Sequence, residues 1–222
     1  MAELPGPELL AWQAEALRQQ GFAVWSVSYR RVGHGGGGYP GTFKDVAQAA
    51  DHLRELAKTH PLDLARIAAS GHSASGHLAL WLAARPGLPP GSPLHAAAPL
   101  PVHGVVVVVA SVGDLAWAAP FLGAVCSPDI IARLVDEKQR GKVAWADTSP
   151  AAMAPLAVPV TMISGLYDPI VAPARARRCA LAAGLRGGPS VTLLNLDEAG
   201  HFELIAPWMR AGAATVHAIT GR

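Results

Sequence analysis

The chain has 222 residues, 51% of them hydrophobic and 15% charged, with a formal net charge of +2. That balance excludes a disordered segment, and the length suits a single α/β domain over residues 1–222, large enough to bury a sizeable core. It gives no reason to expect a nucleic-acid partner, since neither a basic stripe nor interleaved stacking aromatics are present.

Pro7–Gln20 carries Leu9, Leu10, Ala14 and Leu17 at helical spacing, and Gly21 ends it. Phe22–Ser28 reads as a strand. Thr42 with Asp45 forms a capping box ahead of a helix whose apolar stripe is Phe43, Val46, Ala49, Ala50, Leu53 and Leu56. Arg66–Ser70 is a short buried strand and Ala74–Ala84 the helix after it. Pro86–Pro101, rich in Pro and Gly, reads as an exposed connection. Gly104–Ala110 is too apolar to have a solvent face. Asp129–Gln139 is helical, Val158–Ser164 a further buried strand, Pro173–Ala183 a helix, Val191–Leu196 the last strand, and His201–Ile219 holds the final helix. Such alternation predicts a doubly wound, mainly parallel sheet of about five strands, with helices on both faces.

Cys126 and Cys179 form no disulfide framework and no metal-like spacing, nothing resembles H-E-x-x-H, and no metal is expected. The longest apolar stretch, Val105–Ala110, is far too short for a membrane span. Met1–Pro7 lacks a basic region followed by an apolar core, so a signal peptide is not expected and the cytoplasm is the default location.

Between the strand Arg66–Ser70 and the helix Ala74–Ala84 stands Gly71-His72-Ser73-Ala74-Ser75-Gly76. A strand turning at once into a helix can hold Ser73 on a strained elbow above a parallel sheet, as in G-x-S-x-G. The fifth position here is Ser75, with glycine one place late. The plain alternative is a serine that only caps the helix N-terminus.

In such a sheet functional groups lie beyond the carboxyl ends of the strands. Asp168 follows Val158–Ser164, and His201 follows Val191–Leu196. A serine hydroxyl is a poor nucleophile until an imidazole takes its proton, and a carboxylate must hold that imidazole in the right tautomer. Ser73, Asp168 and His201 therefore make a catalytic triad in the chain order Ser–Asp–His. The competing readings are a turn-capping Asp168 and a structural His201. Asp197 and Glu198 are lesser candidates for the orienting acid, and Asp114 sits at the same edge, with an N-cap as its ordinary role. The backbone N–H of Ala74 is the foreseeable oxyanion donor. His72 flanks the nucleophile and either lines the site or packs under the elbow. Trp117, Phe121 and Trp145 are candidate walls of an acyl pocket, with ordinary core aromatics as the alternative. His34 and the remaining histidines read as solvated or structural.

The elbow with His77–Arg85, the run Ile163-Ser164-Gly165-Leu166-Tyr167-Asp168, and Ala199-Gly200-His201-Phe202-Glu203 resemble the α/β-hydrolase superfamily. Tyr29-Arg30-Arg31 and Gly36–Phe43 bring the likeness nearest to arylformamidases (kynurenine formamidases) and small carboxylesterases. The resemblance covers nearly the whole chain. It implies a serine nucleophile, hydrolysis of esters or aryl formamides, and no cofactor. It also implies several opening strands, the third ending in a His-Gly-Gly that supplies half of the oxyanion hole. Here the chain begins at the helix after that strand. His34-Gly35-Gly36-Gly37-Gly38 imitates the motif but follows Phe22–Ser28 instead of preceding its helix, so a flexible glycine-rich loop is expected there. Losing one oxyanion donor costs roughly 2.7–4 kcal/mol in the barrier, so turnover would be slow unless another amide serves. The strand so omitted belongs between Phe22–Ser28 and Arg66–Ser70. Without it those two either pair directly or present open edges, which invite a second copy of the chain.

The expectation is thus a carboxylesterase-type serine hydrolase acting on small, uncharged esters. Alternatives are an arylformamidase, and a non-catalytic scaffold of the same fold.

Overall fold

The computed structural model describes residues 7–109, 113–153, 155–184 and 191–221, with side chains in the helix at 173–184 described as far as Arg178. Met1–Gly6, the expected strand end at Ala110 and the side chain of Cys179 lie outside the described residues. In chain order the elements are α1 (Ala11–Gln19, after a 3-10 turn at Pro7–Leu10), α2 (Gly41–Asp51), α3 (Leu53–Leu56), β1 (Ala68–His72) and α4 (Ala74–Ala84). Then come β2 (Gly104–Val108), α5 (Leu115–Val125), α6 (Ile130–Val135), α7 (Glu137–Arg140) and α8 (Pro150–Met153). The chain closes with β3 (Val160–Gly165), α9 (Pro173–Gly184), β4 (Val191–Leu196) and α10 (Arg210–Thr220).

The four strands form one parallel sheet in the order β1-β2-β3-β4. Ser70 lies opposite Val106, Val106 opposite Thr161, and Thr161 opposite Thr192. Each strand thus ends at the same side of the sheet, which is where the elbow and the loops bearing Asp168 and His201 emerge. Both faces are covered, as a parallel sheet requires. On one, Val105, Val107, Val160 and Met162 pack with Ala79, Leu80 and Ala83 of α4 and Ala176 of α9. On the other, Val106, Val108 and Ile163 pack with Leu204, Ile205, Leu10 and Ala211 of α10.

Among the described residues a fifth strand does not form. Phe22–Ser28 has no ladder partner, and its Val24 and Trp25 are exposed. Among the described residues β1 is bonded to β2 alone, so the segment and the strand do not pair directly. The β-propensity of Phe22–Ser28 is real, yet a strand exists only where a neighbour supplies hydrogen bonds. The capping box is also absent. Asp45 instead takes the backbone N–H and guanidinium of Arg30, while Thr42 donates to the Arg30 carbonyl and accepts from the Gly38 amide. Residues 129–139 bend rather than run on, because Asp136 at φ 55° separates α6 from α7.

Two loops are more ordered than their composition suggests. In the Pro- and Gly-rich connection Leu88, Leu94 and Leu100 are buried, the first two against Phe43 and Trp81. The connection is fastened by Asp51, which accepts from the Leu100 amide at 2.8 Å and from buried Arg85 at 3.0 Å. In the glycine-rich loop a Cβ on Gly37 would lie 1.8 Å from the Arg31 carbonyl oxygen. Glycine serves close backbone packing there, not flexibility.

Candidate active site

Ser73 joins β1 to α4 at φ 54°, ψ −119°, outside the comfortable regions for an L-residue. Its amide donates to the Val108 carbonyl at 2.9 Å, pinning the turn to β2. A Cβ on Gly71 would fall 2.2 Å from the Ser75 carbonyl oxygen, and one on Gly76 2.8 Å from Val107 Cγ1. The elbow therefore needs glycine at 71 and 76, which is why the motif tolerates serine at 75. The Ser75 hydroxyl instead meets the Tyr29 hydroxyl at 2.8 Å. Ala74 is the first residue of α4, so its N–H has no acceptor within the helix.

His201 and Asp168 meet: Nδ1 lies 2.8 Å from Oδ2, with both side chains buried. The other Asp168 oxygen accepts the Ile170 and Val171 amides, each at 2.8 Å, so the carboxylate is fixed from both ends. A carboxylate oxygen only accepts, hence Nδ1 of His201 carries a proton and Nε2 is the nitrogen left to face the nucleophile. The loop that brings His201 here is braced by Tyr167, whose amide donates to the Ala199 carbonyl, and by Glu203, which accepts from the Gly200 amide. Asp197 and Glu198 are exposed, and Asp114 caps α5 by accepting the Trp117 amide at 3.1 Å.

Ser73 adjoins this pair through its neighbour. The His72 ring stands 4.7 Å from the His201 ring at 66°, and its Nε2 lies 2.8 Å from the His201 carbonyl oxygen. Among the described residues no hydrogen bond joins the Ser73 hydroxyl to His201, a contact that in empty sites often closes only around substrate. Burial pushes His72 down to about 4, against the opposing pull of its bond to the His201 carbonyl.

A cavity of about 420 Å³ opens beside the elbow, bounded by His72, Ser75, Tyr29, Arg30, His34 and Leu10 among others. Arg30 there is held by Asp45 at 2.7 Å. Trp117, Phe121 and Trp145 do not line it. Trp117 and Phe121 meet edge to face at 5.1 Å under the guanidiniums of Arg178 and Arg175, and Trp145 packs with Leu115, Leu122 and Val135. Sequence reasoning passed over His34 as a solvated histidine and gave Tyr29 no site role. The signal for both is their place after the carboxyl end of Phe22–Ser28. Among the described residues no group of three or more His, Cys, Asp or Glu side chains could hold a metal ion, and no helix is long and apolar enough to cross a membrane.

Residues 8–88 match the family described as BD-FAE. No curated protein matches the chain. Among solved structures it is similar to a thermophilic esterase, Est2, from Thermogutta terrifontis (TM-score 0.67, 19% identity, covering 97% of this chain and 74% of that one). It is also similar to the esterase LipW from Mycobacterium marinum (0.68, 19%, 96% and 66%). A third is an acetyl ester-xyloside bifunctional hydrolase from Caldicellulosiruptor lactoaceticus (0.63, 19%, 86% and 66%). The chain spans about two thirds to three quarters of the length of these three structures. A four-stranded parallel core, helices on both faces and these likenesses together define the α/β-hydrolase fold.

Proposed function

We propose that this protein is a serine hydrolase that cleaves small, uncharged carboxylic esters, with Ser73 as nucleophile, His201 as general base and acid, and Asp168 as the group that orients His201. The observation that carries the reading is the buried 2.8 Å contact between His201 Nδ1 and Asp168, set beside a serine on a strained strand-to-helix elbow. The esterases among its structural relatives support the same class of reaction.

The steps follow from the groups present. His201 Nε2 takes the Ser73 proton as Oγ bonds to the ester carbonyl carbon. The oxyanion so formed faces the free Ala74 amide at the start of α4, where the helix dipole also favours negative charge. Collapse breaks the bond to the alcohol, which leaves with the proton from His201. Water then attacks the acyl-enzyme, gives its proton to His201, and releases the acid as Ser73 recovers its hydrogen. Asp168 stays ionised throughout and stabilises the imidazolium. On the cavity wall Arg30 and Asp45 pair with each other, so these two charges offset one another beside the elbow.

Hydrolysis of p-nitrophenyl acetate tests this. Ser73→Ala is expected to lose turnover by about three orders of magnitude or more, the scale on which triad members act. Equal rates in the two proteins would end the proposal.

A further inference from the structure

β1 and β4 are opposite edges of the sheet, so the loop that follows β4 must cross its carboxyl end to bring His201 to the nucleophile. Three strand spacings amount to about 14 Å. Along that path the loop is held by β3 and the loop after it. Leu166 and Tyr167 donate to Leu196 and Ala199, and Asp168 holds the imidazole. These contacts fix His201 relative to Asp168. They leave its distance from Ser73, on the far strand, to another tie.

Leu204 and Ile205 pack the following turn against β2, and on β1 itself the tie is His72, its last residue. A carbonyl oxygen only accepts, so the 2.8 Å contact requires His72 Nε2 to be the protonated nitrogen, donating to the His201 backbone. The same ring lies edge-on to the His201 imidazole at 4.7 Å, and Phe202 closes the group at 5.7 Å from His72 and 5.0 Å from His201. His72 is itself buried, and its backbone is locked by pairing with Val108. A neutral ring suits the place, since a second cation against His201 would oppose the imidazolium that forms during catalysis.

We propose that His72 is a positioning residue: its N–H bond to the His201 carbonyl and its edge contact with the imidazole set the separation of His201 from Ser73. This rests on the hydrolase reading above. A misplacement of the base by about 1 Å can cost 10²-fold in rate, so the tie has a large effect to exert.

The test compares His72→Phe, which keeps a ring and loses the donor, with His72→Gln, which keeps a donor and loses the ring. Turnover of p-nitrophenyl acetate is read with the proton NMR signal of the His201 Nδ1–H. His72→Phe is expected to lower kcat about tenfold or more with KM changed less than threefold, on the scale of a misplaced base. Its Nδ1–H signal should broaden, while His72→Gln recovers most of kcat and a sharp signal. Equal loss in both variants, loss in neither, or a change confined to KM would overturn the proposal. Nitrogen NMR of the unmodified protein reads the tie without any variant: His72 should be neutral and protonated on Nε2 at neutral pH, and the other tautomer would overturn it even if the variants fail to fold. An unmodified protein with no turnover would end the hydrolase reading alone. The tautomer and the Nδ1–H signals would then still decide the role of His72.

Discussion

His72 has a consequence for stability as well as for geometry. In the unfolded chain it takes a proton near 6.5, and in the fold not until about 4. Between those values the unfolded state binds more protons, so folding stability falls as pH drops through that window, by roughly 3 kcal/mol in all. Above about 6.5 both states leave His72 neutral and the contribution is level. Urea unfolding at pH 4, 5, 6 and 7 should show this slope in the unmodified protein and a shallower one in His72→Gln. Identical slopes would mean that His72 takes up protons as readily folded as unfolded. The position of His72 was legible in the sequence as a residue flanking the elbow. Its partner was not, because a backbone carbonyl 129 residues away leaves no mark in the pattern of side chains.

Single elements were legible wherever local chemistry decides. α4 runs over Ala74–Ala84 and β4 over Val191–Leu196, as the apolar runs indicate. Reading failed where a distant partner decides. Thr42 and Asp45 have the residue types of a capping box, but Arg30 outcompetes the helix N-terminus for both. Phe22–Ser28 has the composition of a strand and lacks a neighbour. The Pro-rich connection looked exposed because its anchor, Asp51, sits on α2. That anchor makes a prediction. Burial alone would raise the Asp51 carboxyl, yet its bonds from Arg85 and Leu100 outweigh burial and hold it low. Removing it leaves the buried Arg85 guanidinium without its carboxylate, and stripping one partner from a buried pair costs about 3–5 kcal/mol. Asp51 is partly open to water, which places Asp51→Ala near the bottom of that range. Chemical denaturation measures it, and a loss below about 1 kcal/mol, the scale of a surface pair, would show that water replaces the carboxylate.

Across the whole molecule, the sheet is what gathers the three loops of the proposed site. Ser73 lies after β1, Asp168 after β3 and His201 after β4, and a parallel sheet delivers all three to the same edge. That shared edge was legible from order and strand ends alone, since every strand of a parallel sheet points the same way. The wall of the cavity was not. Trp117 and Phe121 drew attention by size, but they meet edge to face beneath the guanidiniums of α9, while Tyr29 and His34 come to the elbow from a stretch outside the helices and the sheet. The hydrolase reading therefore stands on whether Ser73 is activated where the sheet sets it. Treatment of the folded protein with a fluorophosphonate, followed by peptide mass spectrometry, answers this most directly. A single covalent adduct on Ser73, absent from His201→Ala, is the predicted result. Folded protein with no adduct, or an adduct on another serine, would contradict it.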